Sequence, residues 1–169
     1  MLKPTYKGKA WKFGDNVSTD SIAPGRLLHL RSNPPEFAKH VFEDVRPEFA
    51  KNVQQDDFIV AGNNFGCGSS REIAPLILKL SGVGAILAKS IGRIFYRNAI
   101  NNGMLLIQCD TDTIDEGDKL LIDVANREIT KEGDPDFRIH FQLGEIEKKI
   151  LEEDGLLGYI DKHGSLDQL

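Results

Sequence analysis

Cysteine is scarce and long apolar runs are missing. The 169-residue chain holds only Cys67 and Cys109, and no stretch approaches the roughly 18 to 20 apolar residues that cross a bilayer. The two thiols stand far apart, with no second Cys or His at metal-ligand spacing. That excludes a zinc site, a complete iron-sulfur site or a disulfide framework built from this chain's own thiols. The opening segment Met1 to Trp11 is too polar and lysine-dotted for a signal peptide, and with the scarce cysteine it points to a cytoplasmic protein without a membrane span. Positive charge is also in short supply: Lys plus Arg is 21 against 26 Asp plus Glu, a net charge of -5. No general field attracts nucleic acid or an anionic membrane, so an anionic ligand must be met by a local cluster of arginines.

Familiar catalytic signatures are missing too. No Lys precedes the serines of Gly68-Ser69-Ser70, so there is no Walker loop. Arg71 stands where a dinucleotide fingerprint needs its third glycine, and no Gly-x-Ser-x-Gly elbow occurs. His29, His40, His140 and His163 read as surface or packing residues, and Cys67 as a small packing residue of a tight loop, the alternative being a reactive thiol near a helix N-terminus.

What is present is ordinary globular composition, 40% hydrophobic and 28% charged, in a length suited to one domain, residues 1 to 169. Lys9 to Phe13 predicts a short strand running into a long polar loop, Asp15 to Arg26. Pro35-Glu36-Phe37-Ala38-Lys39 recurs as Pro47-Glu48-Phe49-Ala50-Lys51. Proline followed by an acidic residue suits a first helical turn, which predicts short helices over Pro35 to Asp44 and Pro47 to Val53. From residue 57 the pattern alternates: strand Phe58 to Ala61, helix Ile73 to Leu80, strand Ala85 to Ala88, helix Arg93 to Asn102, strand Leu105 to Ile107. That order signals parallel crossovers. Strands at Lys119 to Val124, Glu128 to Thr130 and Phe137 to Gln142 follow as a meander, then a helix from Gly144 to Asp154 and a polar tail. The fold class is α/β, with a mixed, partly parallel sheet flanked by helices.

The stretch Gly62-Asn63-Asn64-Phe65-Gly66-Cys67-Gly68-Ser69-Ser70-Arg71-Glu72 lies between a buried strand and a helix. Its glycines let the backbone approach a ligand. Ser69 and Glu72 have capping-box spacing, which would put Ser70 and Arg71 in the first helical turn. Free N–H groups, hydroxyls and a guanidinium would then converge on a carboxylate or phosphate, the alternative being a plain helix cap. Pro75 resists this picture, because it would clash with the carbonyl of Arg71 unless the helix kinks or starts later. Arg93 and Arg97, four apart, share one helical face that is either a further positive patch or merely solvated. Arg26 and Arg31 flank Leu27 to Leu30, a mixed wall suited to a carboxylate with an aliphatic arm.

Three segments, in order, resemble the small subunits of the 3-isopropylmalate dehydratase and homoaconitase family, similar in turn to the swivelling domain of aconitase. They are Gly14-Asp15-Asn16-Val17-Ser18-Thr19-Asp20 with Ile22 and Pro24, then Asn64 to Glu72, then Arg93 to Gly103. The resemblance implies a single swivelling β/β/α domain and a hydro-lyase that isomerises a hydroxy-di- or tricarboxylate by dehydration and rehydration. It implies Ser69 as catalytic base and Ser70 and Arg71 as substrate ligands. Arg26 and Arg31 are expected to join them, with Thr19, Asp20, Glu72 and Arg93 in support. It also implies a [4Fe-4S] cluster in a separate large subunit, no cofactor or metal on this chain, and a heterodimer or heterotetramer inactive without that partner. Ile73 departs from the histidine common after Ser-Ser-Arg-Glu. Arg31 lies in the segment Leu28 to Ser32 that corresponds to the family's specificity loop, where it resembles the more polar loops of homoaconitase-like members. 3-Isopropylmalate dehydratase of leucine biosynthesis is the first expectation. Homoaconitase, a methylated-malate dehydratase, or a stand-alone carboxylate- or phosphate-binding regulatory module are the alternatives.

Overall fold

The computed structural model describes every residue from Met1 to Leu169. In chain order, β1 (Thr5–Lys12) leads to α1 (Thr19–Ile22), a 3-10 helix Gly25–Ser32, α2 (Pro34–Phe37), a 3-10 turn Ala38–His40 and α3 (Phe49–Asn52). Then come β2 (Asp57–Ala61), α4 (Ile73–Leu80), β3 (Val83–Ala88), α5 (Arg93–Asn101) and β4 (Leu105–Gln108). The last part holds β5 (Lys119–Asp123), β6 (Glu128–Lys131), β7 (Asp134–His140), α6 (Glu145–Glu152) and α7 (Leu156–His163).

The strands form a seven-stranded sheet in the order β4, β3, β2, β1, β5, β6, β7. The first four are mutually parallel, and the last three join as an antiparallel meander. β1 belongs to both halves: Thr5 to Lys9 pair with β5, and Ala10 to Lys12 pair with β2.

Because side chains alternate along a strand, the parallel strands feed two cores. Ile59, Ala61, Ile86, Ala88 and Leu106 face one core, with Phe37, Phe42, Phe49, Ile77 and Leu78 from the helices. Phe58, Val60, Ala85, Leu87, Leu105 and Ile107 face the other, covered by Leu120, Ile122, Ile129, Ile150 and Leu151 from the meander and α6. The mixed sheet with flanking helices is the architecture expected from the sequence.

Several boundaries differ. β1 starts at Thr5 and β7 at Asp134, earlier than their apolar patterns suggest, because both extend as polar edges that the ladders still pair. The helix expected over Pro35 to Asp44 stops at Phe37, and the one expected over Pro47 to Val53 shrinks to Phe49–Asn52. Packing overrides the pattern here. Phe42 takes a φ of 58° and inserts its ring beside Phe13 and Phe49, at centroid distances of 4.5 and 5.1 Å. The expected polar tail folds as α7, its Tyr159 buried and stacked on His163 at 4.3 Å.

Candidate active site

The loops beyond the carboxyl ends of the parallel strands, where open α/β sheets bind their ligands, stay paired after the strands end. Gly62 N–H donates to the Gly14 carbonyl (3.1 Å), Gly66 N–H to Val17 (2.7 Å), Thr19 N–H to Cys67 (2.8 Å) and Phe65 N–H to Ser90 (3.0 Å). Gly66 has a φ of 77°, and a Cβ there would sit 2.3 Å from Cγ of Phe95, so only glycine fits. The half-buried Cys67 sits in this paired segment.

After Cys67 the chain turns outward into a cleft. Thr19, 2% exposed, donates its hydroxyl to the Ser69 carbonyl at 2.7 Å and fixes the peptide carrying Ser69. The segment from Ser69 to Ile73 then runs free: none of its backbone N–H groups donates to a backbone acceptor. The capping box does not form. α4 starts at Ile73, and Glu72 at its N-cap has helical dihedrals and no side-chain cap. Pro75 is the reason, since a helix starting at Ser70 would drive its ring into the Arg71 carbonyl. A start at Ile73 leaves Pro75 in the first turn, where an N–H has no partner.

Arg71 is oriented by two acceptors, its Nη1 donating to Asp20 Oδ1 at 2.8 Å and to the Ala23 carbonyl at 2.6 Å. Of the five guanidinium N–H donors, those on Nε and Nη2 remain unengaged by the protein. Asp20 also accepts the Gly25 N–H at 3.0 Å. The hydrogen bond from Arg71 is the main cause of an Asp20 carboxyl held below its ordinary value.

Ser69, Ser70, Arg71, Glu72 and Ile73 line one cleft of about 940 Å³. Leu28, Arg31 and Pro34 form one wall, Asn98, Asn101 and Asn102 of α5 another, and Leu76, Leu156 and Leu157 add aliphatic surface. Leu28 and Arg31, three apart, eclipse in a 3-10 helix and so reach the cleft together. Arg26 lies on a different edge of that helix. It pairs with Glu43 and Asp44 at 2.7 Å each and is not among the lining residues, so it does not join Arg31 as expected. Arg93 is also elsewhere, lining a separate groove between α5 and α6. Asp20 and Thr19 are not among the lining residues and reach the cleft only through hydrogen bonds to Arg71 and to the Ser69 carbonyl.

The asparagines and the two leucines of α7 were missed from the sequence. A signal was present: Asn98, Asn101 and Asn102 have the i, i+3, i+4 spacing of one helical face. Leu156 and Leu157 carry none, because Gly155 and Gly158 mask the helical pattern of α7.

No three His, Cys, Asp or Glu side chains converge to hold a metal ion. Burial pushes the Cys109 thiol up to about 11, away from the thiolate form that binds metals. This chain's residues do not fit an iron-sulfur cluster. No helix is long and apolar enough to cross a membrane.

Residues 48–112 match the family described as the aconitase C-terminal domain. The chain is 54% identical over 160 residues to 3-isopropylmalate dehydratase small subunit 2 of Archaeoglobus fulgidus, covering 94% of this chain and 96% of that one. It is 50% identical over 167 residues to small subunit 1 of Thermotoga maritima, covering 96% and 99%. A crystal structure of 3-isopropylmalate dehydratase from Methanocaldococcus jannaschii superposes with a TM-score of 0.90 at 43% identity, covering 95% of each chain.

Proposed function

The chain belongs to the family of 3-isopropylmalate dehydratase small subunits, and on that premise we propose that it is the small subunit of a hydro-lyase that isomerises 3-isopropylmalate by dehydration and rehydration. The observation that carries this is the cleft itself. A base candidate, Ser69, and a half-engaged guanidinium, Arg71, meet unpaired main-chain N–H groups beside aliphatic walls, which suits a carboxylate with an isopropyl arm. The relatives share one name, so Arg31 is read as a partner for a carboxylate of that substrate and not as the mark of homoaconitase. A regulatory module is likewise not favoured.

In this reading Arg71 receives a substrate carboxylate on Nε and Nη2, while Asp20 and the Ala23 carbonyl keep its plane fixed. Ser70 and Arg31 bind at the rim. Ser69 as alkoxide removes the proton on the carbon next to that carboxylate, the C–H electron pair forms the double bond, and the hydroxyl leaves the neighbouring carbon. Addition of water across the same bond with the carbons exchanged gives the isomer. An alkoxide is costly in water, and the free N–H groups from Ser69 to Ile73 with the guanidinium lower that cost. A [4Fe-4S] cluster held by a large subunit would supply the Lewis acid that this chain's own residues lack, so this chain alone would form half of a site.

The test is reconstitution with the large subunit and turnover of 2- and 3-isopropylmalate. Ser69→Ala is expected to lower kcat by about 10² to 10⁴ while the subunits still associate. Full turnover by that variant would overturn the assignment of the base.

A further inference from the structure

The segment Arg93 to Gly103 stands out in the sequence, yet the proposed chemistry uses only its asparagines. α5 buries Phe95, Ala99 and Ile100 and leaves Arg93, Ile94 and Arg97 exposed. It is a ridge between two depressions. On one side Asn98, Asn101 and Asn102 wall the candidate active cleft. On the other, Arg93, Arg97, Ile91, Ile100, Ile146 and Ile150 line a groove of about 450 Å³ against α6, and Asn101 borders both.

The charge on this ridge is unusual for the molecule. Arg26, Arg46, Arg71, Arg127 and Arg138 each pair with a carboxylate, whereas Arg31, Arg93 and Arg97 pair with none. Glu147, the one acidic residue of the groove, is folded back on the start of α6. Its Oε2 lies 2.0 Å from where a Gly144 Cβ would be, and it bridges neither arginine. Beside the unpaired guanidiniums stand exposed aliphatics: Ile94 at 57%, Ile146 at 54% and, across the ridge, Leu157 at 76%. Single exposed aliphatics are ordinary. Grouped around unpaired arginines on an otherwise acidic chain, they have the composition of a protein-binding face and not of a solvated one.

We propose that the α5 ridge and the α5/α6 groove seat the large subunit, which sets a carboxylate on Arg93 and Arg97 and an aliphatic side chain among Ile91, Ile100, Ile146 and Ile150. This rests on the reading of the chain as a small subunit. A partner that closes the active cleft must border Asn98 and Asn101, and the groove is the next surface beyond them. Charge complementarity selects an acidic patch on the partner.

The experiment titrates the isolated small subunit with the large subunit and follows amide hydrogen exchange of the pair. Arg97→Glu and Ile146→Asp are each expected to weaken association about tenfold or more, with the melting temperature of the free small subunit unchanged. Binding by the wild type is expected to protect amides in residues 93–101 and 145–150. Wild-type affinity in both variants, or protection confined to the active-cleft loops, would overturn the proposal. Turnover of the wild-type pair is scored separately. A pair that assembles through this face but leaves isopropylmalate unchanged would sink the catalytic reading alone, and a pair that turns over with the groove unprotected would sink the docking face alone.

Discussion

Asp20 shows how much a single side chain decides in the cleft. It is 68% exposed, so its ion pair with Arg71 contributes little to folding, about 1 kcal/mol or less after solvent screening. Its effect is on geometry, since it holds the plane of a guanidinium that is only 16% exposed. Asp20→Asn is expected to raise KM several-fold in the reconstituted enzyme with a smaller change in kcat, measured by steady-state kinetics. Equal loss in kcat with KM unchanged would contradict a positioning role. The pH dependence has a definite sign. Because the folded carboxyl sits below its ordinary 3.8, the pairing is fully present above that value and fades only as pH falls through the lower one. Asp20 therefore contributes no acid limb between pH 5 and 8. At this scale the convergence of Ser69, Ser70 and Arg71 on one cleft was legible, because residue type and position after a strand coincide. Arg26 was not, since closeness in sequence to Arg31 says nothing about which edge of a 3-10 helix it occupies.

Among the elements, the loop between β2 and α4 is built by exclusion of side chains as much as by hydrogen bonds. Gly66→Ala puts a methyl group into Phe95 and forces a positive φ on alanine. A loss of about 2 kcal/mol or more in chemical denaturation is expected, with weaker substrate binding because Ser69 and Arg71 lie downstream on the same loop. A neutral variant would show that the loop relocates freely. The strands and α4 were readable because their apolar runs are long and their breakers clear. The capping box misled because Ser-x-x-Glu is local, while Pro75, three residues beyond Glu72, excludes that register. α7 was hidden by Gly155 and Gly158, which weaken a local helix signal that burial of Tyr159 restores. The helical repeat at Pro35 and Pro47 failed for the opposite reason, a favourable start overruled by aromatic packing around Phe42.

For the whole molecule the question is what makes a parallel sheet and a meander one body. The two halves meet at β1, which changes partner between Lys9 and Ala10. Asp57 stands at that crossing, 3% exposed. It accepts the Lys9 N–H at 2.8 Å and the Trp11 indole N–H and the Gln54 N–H at 2.9 Å each. A buried carboxylate is tolerable only when its oxygens are hydrogen-bonded, and here main-chain N–H groups of Lys9 and Gln54 and the indole of Trp11 supply those bonds, with Lys9 and Trp11 on opposite sides of the switch. We propose that residues 1–169 unfold as one cooperative domain held at this junction. Wild type is expected to give coincident transitions by tryptophan fluorescence, which reports Trp11 beside Asp57, and by far-UV circular dichroism, which reports all strands and helices. Asp57→Ala leaves the three N–H donors without their acceptor, the Trp11 indole in a buried position, and is expected to cost about 2 to 4 kcal/mol. Asp57→Asn keeps the shape but must turn its amide N–H₂ toward at least one donor, so it recovers only part of that loss. Separate transitions in the wild type would show the meander to be an independent unit, and an Asp57→Ala variant as stable as the wild type would show that the strand ladders alone join the halves.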